Sequence, residues 1–154
     1  MTLRLRPIQS TDIIPLAELM AASPLWQRYN VTVDSATHRL RHGLDQQATI
    51  IVAEINNEPV GFIWTVEKGA FNRSGYIMLI GVQADTQGQG VGRALMLAAE
   101  TALFSQVMDI FLLVSDFNQA AQAFYRQLGY QQVGAIPDYV VPGITELIFH
   151  KRRA

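Results

Sequence analysis

The sequence predicts a single mixed α/β domain, in which a mostly antiparallel central sheet is flanked by about four helices. Two observations predict it. Apolar residues change their period along the chain, from helical spacing of three or four to strand-like runs and back to helical spacing. The chain has 154 residues without a repeat or a linker, which is the size of one domain. We therefore expect one domain over residues 1–154.

The first third of the chain predicts a strand and two helices. Residues 2–6 alternate polar and apolar side chains and end at Pro7, which is typical of a short strand. Ser10–Asp12 supply N-cap oxygens before apolar residues at helical spacing, and Pro15 fits the first turn of that helix. A second helix is expected after Asp34 and Ser35, with Gly43 near its end.

The middle of the chain predicts a three-stranded antiparallel meander. Residues 48–55, 60–66 and 76–82 are β-branched or apolar runs. A turn signal at 56–59 separates the first two runs, and Lys68-Gly69 begins the connection to the third. The third run is almost continuously apolar, which predicts burial on both faces and hence a central strand.

Two strand–helix units and a final extended region complete the expected fold. A helix after Gly90 is expected to bury one face, formed by Val91, Leu95, Ala98, Ala102 and Leu103. Residues 109–114 read as a buried strand. Asn118 is a candidate N-cap for a helix to Leu128, and Gly129 is a suitable residue to follow it. Extended structure is expected from Val133 and again at 145–150.

Composition excludes several classes of protein and site. Twelve basic and thirteen acidic residues give a net charge of −1, which predicts no general affinity for nucleic acid or anionic membranes. No cysteine is present, so disulfides, thiol nucleophiles and Cys-ligated zinc are excluded. His38 and His42 lack further ligands nearby in sequence, and no metal is expected. No apolar segment reaches the roughly 20 residues of a membrane span, and no signal peptide is evident, so a cytoplasmic location is expected.

The most informative segment is a glycine-rich loop between a buried strand and an amphipathic helix. Gly88, Gly90 and Gly92 alternate along this loop, and Arg93 follows them. Residues without a Cβ let other atoms approach their N–H groups, and a helix N-terminus adds a positive dipole end, so the loop predicts a phosphate or pyrophosphate site. A tight turn without a ligand is the alternative. A P-loop and a dinucleotide fingerprint both require residues or spacings that this loop lacks.

Two motifs carry a resemblance to one family. Gln87-x-x-Gly90-x-Gly92 resembles the Q/R-x-x-G-x-G/A pyrophosphate loop of the GNAT superfamily of acetyl-CoA-dependent N-acetyltransferases. Residues 118–130 are similar to the family's N-x-x-A-x-x-F/L-Y-x-x-x-G-F/Y segment. The motifs occur in the family's order, joined by a strand. The resemblance implies the GNAT fold and direct acetyl transfer from acetyl-CoA to a primary amine of a small molecule or peptide, without a metal.

The resemblance also implies which residues hold the donor. The main chain of Ile80, Gly81 and Val82 is expected to contact the pantetheine arm. The pyrophosphate is expected to contact the loop formed by Gln87, Gly88, Gln89, Gly90, Val91, Gly92 and Arg93. The side chains of Asn118 and Tyr125 are expected to contact the donor as well. Tyr125 matches the family's general acid, which protonates the leaving coenzyme A thiolate. A core position for Tyr125 and a simple N-cap role for Asn118 are the structural alternatives.

The general base is not evident. In the related ribosomal-protein N-terminal acetyltransferases a Glu in the strand before the Asn motif takes this role, and the matching position here is Leu113. The other carboxylates we considered occur in no distinctive motif; they are Glu54, Glu67, Asp85, Asp116 and Asp138. Without a base, an amine of lowered pKa is the favoured acceptor, since deprotonating a Lys side chain at pH 7 costs about 3 kcal/mol more than deprotonating an α-amino group.

The acceptor side and the assembly rest on weaker signals. Trp26, Tyr29 and Tyr139 are candidate aromatic walls of an acceptor pocket, and a core or hinge role is the alternative. The apolar stretch at 139–141 would permit a homodimer.

A non-catalytic acyl-CoA-binding sensor domain is the alternative function. Acetylation of charged tRNA, the third reading, is disfavoured by the net charge.

Overall fold

The computed structural model describes residues 2–154 as a seven-stranded sheet with helices on both faces. The strands are β1 (Leu3–Pro7), β2 (Thr49–Ile55), β3 (Glu58–Ala70), β4 (Ser74–Val82), β5 (Asp109–Ser115), β6 (Gln131–Ile136) and β7 (Glu146–Arg152). The helices are α1 (Ile13–Ala22), α2 (Pro24–Gln27), α3 (Val33–Asp45), α4 (Val91–Phe104) and α5 (Gln119–Gln127). Short 3₁₀ turns lie at Ser10–Asp12 and Ala84–Thr86.

The sheet has the strand order β1-β2-β3-β4-β5-β7-β6, and every neighbouring pair is antiparallel except β4 and β5. The predicted mixed, mostly antiparallel sheet and the antiparallel meander are therefore confirmed. The parallel pair is short: Gly75, Tyr76 and Ile77 align with Ile110, Phe111 and Leu112, and the register ends there. Beyond these residues β4 and β5 separate, which opens the middle of the sheet.

Two apolar cores lie on opposite faces of the sheet. One core contains Leu95 of α4 and Tyr125 of α5, and the other contains Leu16 of α1 and Leu40 of α3. The second core explains Gly43, because a Cβ at this position would lie 2.4 Å from the indole of Trp64. The helices thus cover the sheet without closing the gap between β4 and β5.

The loop predicted at Lys68-Gly69 is wrong, because β3 continues through it to Ala70. Register shifts between Val66 and Ala70 accommodate the extra residues, and Ala70 pairs with Ser74. The chain reverses at Phe71 and Asn72, whose φ angles are +58° and +53°. Asn tolerates this left-handed conformation, but Phe in a turn is not a signal that sequence patterns reveal.

Helix boundaries and faces also differ from the expectations in detail. Helix α4 buries Met96 and Ala99, whereas the predicted Ala102 is exposed and Ala98 half-buried. The N-cap of α3 is Thr32, whose hydroxyl accepts from the N–H of Ser35. The one-turn helix α2, which starts at Pro24, is an additional element without a clear periodic signal. Strand β6 begins at Gln131, before Val133.

A buried ion-pair cluster joins β1, β2 and the first 3₁₀ turn. Arg6 donates to Asp12 at 2.7 Å and to Glu54 at 2.9 Å. Burial alone would raise the pKa of Asp12, but hydrogen bonds from Arg6 and from the N–H of Gln9 outweigh it and hold the pKa below its ordinary value. Glu54, one of the carboxylates considered as a base, is therefore occupied by a structural ion pair.

Candidate active site

The gap between β4 and β5 opens into a cavity of about 320 Å³, called here the central cavity. Its floor is formed by the diverging strands, with Met78–Ile80 of β4 on one side and Leu113–Ser115 of β5 on the other. Met78, Leu79 and Ile80 are half-buried because the gap exposes them. The predicted central position of β4 is confirmed, but its burial is interrupted where the strands separate.

The edge of β4 that faces the gap carries peptide groups without a partner on β5. The N–H of Gln83 donates to the carbonyl of Val60 on β3 at 2.7 Å. Since peptide groups of a strand point alternately to its two sides, Ile80 and Val82 direct theirs toward the gap. The Gln87 side-chain amide donates to the Val82 carbonyl at 3.4 Å, on that same side. The gap thus offers an extended ligand the hydrogen-bonding edge of a strand.

The glycine-rich loop presents free donors near the end of β4. Gly88 and Gly90 have φ angles of +84° and +82°, and nothing lies within 4 Å of a Cβ built on either residue. Within residues 2–154, the N–H groups of Gly88, Gly90, Val91, Gly92 and Arg93 donate to no acceptor. Because these groups surround the N-terminus of α4, an anion is the ligand they suit.

Asn118, the residue before α5, and Tyr125 within α5 line the central cavity together. The Asn118 Oδ1 accepts from the N–H of Ala121 at 3.1 Å, so the N-cap role is confirmed. Its Nδ2 donates to no partner in the described chain and remains available. The Tyr125 side chain is 7% exposed and packs edge-on against Phe124. Burial raises the pKa of Tyr125, so its hydroxyl keeps its proton at neutral pH.

The opposite wall of the central cavity comes from the segment after α1. Trp26 and Tyr29, predicted as acceptor-side residues, both line it. Tyr139 is not part of the lining and is 59% exposed, whereas its neighbour Val140 is part of the lining. The stretch at 139–141, where a dimer contact would be permitted, is therefore partly exposed, and the homodimer stays a prediction.

Sequence reasoning missed Glu146, a buried carboxylate that lines the same cavity. Glu146 is the first residue of β7 and pairs with Ser115, the last residue of β5. Its Oε2 accepts a hydrogen bond from the Tyr29 hydroxyl, which also contacts Ser115 Oγ. A single Glu opening a late strand has no sequence signature, and only the β5–β7 register brings it to the gap.

None of the remaining carboxylates considered as bases is buried. Glu67, Asp85, Asp116 and Asp138 are exposed, and none lines the central cavity. Leu113, which replaces the acidic residue of the related enzymes, does line it. Within residues 2–154, no three His, Cys, Asp or Glu side chains are grouped closely enough to hold a metal ion. No helix of the described chain is long and apolar enough to cross a membrane.

Comparison with known proteins identifies the family. Residues 15–130 match the model of the acetyltransferase (GNAT) family. A mycothiol acetyltransferase of Streptomyces coelicolor is 37% identical over 84 residues, which cover 54% of this chain and 27% of that protein. The chain thus spans about a quarter of that curated relative's length.

Two solved structures share the fold at low identity. Ard1 of Thermoplasma volcanium superposes with a TM-score of 0.82 at 20% identity, covering 100% of this chain and 99% of that one. An aminoglycoside 6′-N-acetyltransferase complexed with coenzyme A gives a TM-score of 0.79 at 17% identity, covering 97% and 96% of the two chains. These likenesses show the shared fold, and the matched family model establishes that the chain belongs to the GNAT acetyltransferase family.

Proposed function

We propose that this protein transfers the acetyl group of acetyl-CoA directly to a primary amine of a small molecule or peptide. The observation that carries the proposal is the gap between β4 and β5. It brings the open edge of β4, the Asn118 amide and the Tyr125 hydroxyl to one cavity, and the free N–H groups of the glycine-rich loop lie at the end of the same strand.

The features of this chain fit acetyl-CoA as a donor substrate. The pyrophosphate is assigned to the N–H groups around the N-terminus of α4, where Gly88 and Gly90 leave open space. The amides of the pantetheine arm are assigned to the peptide groups of Ile80 and Val82, as an added strand would be. Asn118 Nδ2 supplies a further donor. The relative solved with coenzyme A supports this assignment through its shared fold.

The chemistry needs a neutral amine and a proton for the leaving sulfur. The amine nitrogen attacks the thioester carbonyl, the C–N bond forms, and the C–S bond breaks with its electron pair on sulfur. Tyr125 gives its phenolic proton to that sulfur and regains one from the amine nitrogen through solvent. A peptide N–H on the β4 edge stabilises the negative charge that develops on the carbonyl oxygen.

Thiol release from acetyl-CoA, measured across a panel of amines, amino acids and peptides, tests the proposal. We expect turnover that depends on both substrates and yields the N-acetylated product by mass spectrometry. Tight coenzyme A binding without turnover on the whole panel would favour the sensor domain instead. Absence of coenzyme A binding would contradict the assignment of the glycine-rich loop.

A further inference from the structure

Glu146 is a buried acid without a cation. Four carboxylate residues are buried in the described chain: Asp12, Glu54, Glu100 and Glu146, at 2%, 6%, 7% and 5% exposure. Arg6 pairs with the first two at 2.7 and 2.9 Å, and Lys151 pairs with Glu100 at 2.8 Å. Within residues 2–154, no Lys, Arg or His lies within 4.0 Å of Glu146. A buried carboxylate is costly unless a cation compensates it, so this site favours a positively charged ligand.

The carboxylate of Glu146 is held in place with one oxygen free. The Tyr29 hydroxyl has one proton and donates it to Glu146 Oε2, so Ser115 Oγ donates to the Tyr29 oxygen. Burial raises the pKa of Tyr29 to about 12, and the nearby Glu146 adds to the shift, so Tyr29 remains a donor at neutral pH. Glu146 Oε1 accepts no hydrogen bond from residues 2–154.

The surroundings of Glu146 favour an amine on an apolar group. The wall on that side of the central cavity includes Leu25, Trp26, Val31 and Val140. Ionisable groups in this region from the other elements are Tyr76 on β4, Arg39 on α3 and Tyr125 on α5, together with Tyr29, Asp116 and Tyr139 in the connecting segments. Arg39 is the one cation in that set, and it is exposed.

We infer that Glu146 binds the ammonium group of the acceptor and accepts its proton, and that the acceptor is a primary amine carried on an apolar group. This inference rests on the proposed function for its chemistry and on the unpaired carboxylate for its location. The ammonium N–H bond breaks, its proton passes to Glu146 Oε1, and the amine is left neutral with a free electron pair. The protonated carboxyl later returns this proton to solvent.

Binding of benzylammonium in the presence of coenzyme A tests the location without any turnover. The variant Glu146→Gln keeps the shape of the side chain and an oxygen for the Tyr29 hydroxyl but removes the charge. We expect it to weaken benzylammonium binding at least tenfold by calorimetry. Asp116→Asn, which removes a neighbouring exposed charge, is the matched control and should change affinity less than about threefold.

A Tyr29 variant shows whether the cation binds to the Glu146 carboxylate or to the phenol that donates to it. Tyr29→Phe keeps the Glu146 charge but removes the hydrogen bond that holds the carboxylate, so we expect it to weaken benzylammonium binding less than Glu146→Gln does. Equal affinity of the wild-type protein and Glu146→Gln would overturn the inference, as would absence of benzylammonium binding to the wild-type protein. An equal loss in Tyr29→Phe and Glu146→Gln would also overturn it, by assigning the cation to the phenol.

The pH dependence of turnover tests the proton transfer. With benzylamine as acceptor, Glu146→Gln should lower kcat/KM about 100-fold at pH 7. The loss should shrink as pH rises, because solvent then supplies the neutral amine. With aniline, which is neutral at pH 7, the loss should stay below about fivefold. A loss equal at all pH values and for both amines would reject the role of proton acceptor.

Glu146-dependent binding without turnover by the wild-type protein would instead reject the proposed acetyl transfer and would still support the cation site at Glu146.

Discussion

The indole of Trp26 covers the backbone of Gly81, and a Cβ added at Gly81 would lie 2.5 Å from ring carbon Cη2 of Trp26. The ring of Phe62 stacks on Trp26 with 6.1 Å between the ring centroids, and its Cε1 atom would lie 3.0 Å from the Cβ added at Gly81. One aromatic side chain therefore belongs to both the core and the central cavity. It joins the acceptor side of the cavity to the strand assigned to the donor.

Gly81→Ala should destabilise the protein, because the added methyl group meets two packed rings. We expect the free energy of unfolding to fall by about 1–3 kcal/mol, as for other overpacked cores. Chemical denaturation measures the change. The matched control is Gly134→Ala on β6, where the nearest atom is the flexible end of Ile148 at 3.3 Å. That control should stay within about 1 kcal/mol of the wild-type protein, and an equal loss in both variants would contradict the packing argument.

Gly90→Ala should weaken coenzyme A binding, because its φ of +82° is unfavourable for a residue with a Cβ. A left-handed residue costs about 1–2 kcal/mol, so about a tenfold rise in Kd is expected if the loop shifts to relieve it. Gly92→Ala is the control, since Gly92 lies in α4 and a Cβ there would make an ordinary contact of 3.5 Å with Phe124. Calorimetry with coenzyme A should find Gly92→Ala within about twofold of the wild-type protein.

Tyr125→Phe should lower kcat about 100-fold while leaving the Kd for coenzyme A nearly unchanged. The hydroxyl makes no hydrogen bond within residues 2–154, so stability should also be nearly unchanged. Burial raises the pKa of Tyr125 above 10.0, so wild-type kcat should not decline through its ionisation below about pH 10. Steady-state kinetics with a saturating amine measures both effects. A Tyr125→Phe variant with wild-type kcat would remove Tyr125 from the chemistry.

Alkaline pH should destabilise the fold through the buried tyrosines. The pKa of Tyr29 rises from 10.0 to about 12 on folding, through burial first and then the nearby Glu146. The folded state therefore favours the neutral phenol, and its contribution is complete below pH 10 and declines as pH rises toward 12. Denaturation midpoints measured from pH 8 to 12 should fall above pH 10. Tyr29→Phe should show a shallower fall; an identical slope would contradict the assigned shift.

The strands and the glycine-rich loop could be predicted because their signals are local. The meander follows from three apolar runs, and the loop at Gly88 and Gly90 follows from glycines before a helix. On the other wall of the cavity the sequence predicts Trp26 and Tyr29 but not Glu146. Glu146 is 117 residues from Tyr29, and it reaches the cavity through the pairing of β7 with β5. The continuation of β3 to Ala70 was missed because its bulges hide the strand alternation.

Amide hydrogen exchange tests most directly whether the open edge of β4 receives the donor. Without ligand, the amides of Ile80 and Val82 should exchange readily, because they face the gap. Saturating coenzyme A should slow exchange at these two residues and at Gly88 and Gly90, while Gly81, whose N–H faces β3, should change much less. Unchanged exchange at Ile80 and Val82 in a protein that binds coenzyme A would place the donor elsewhere and contradict the assignment of the β4 edge.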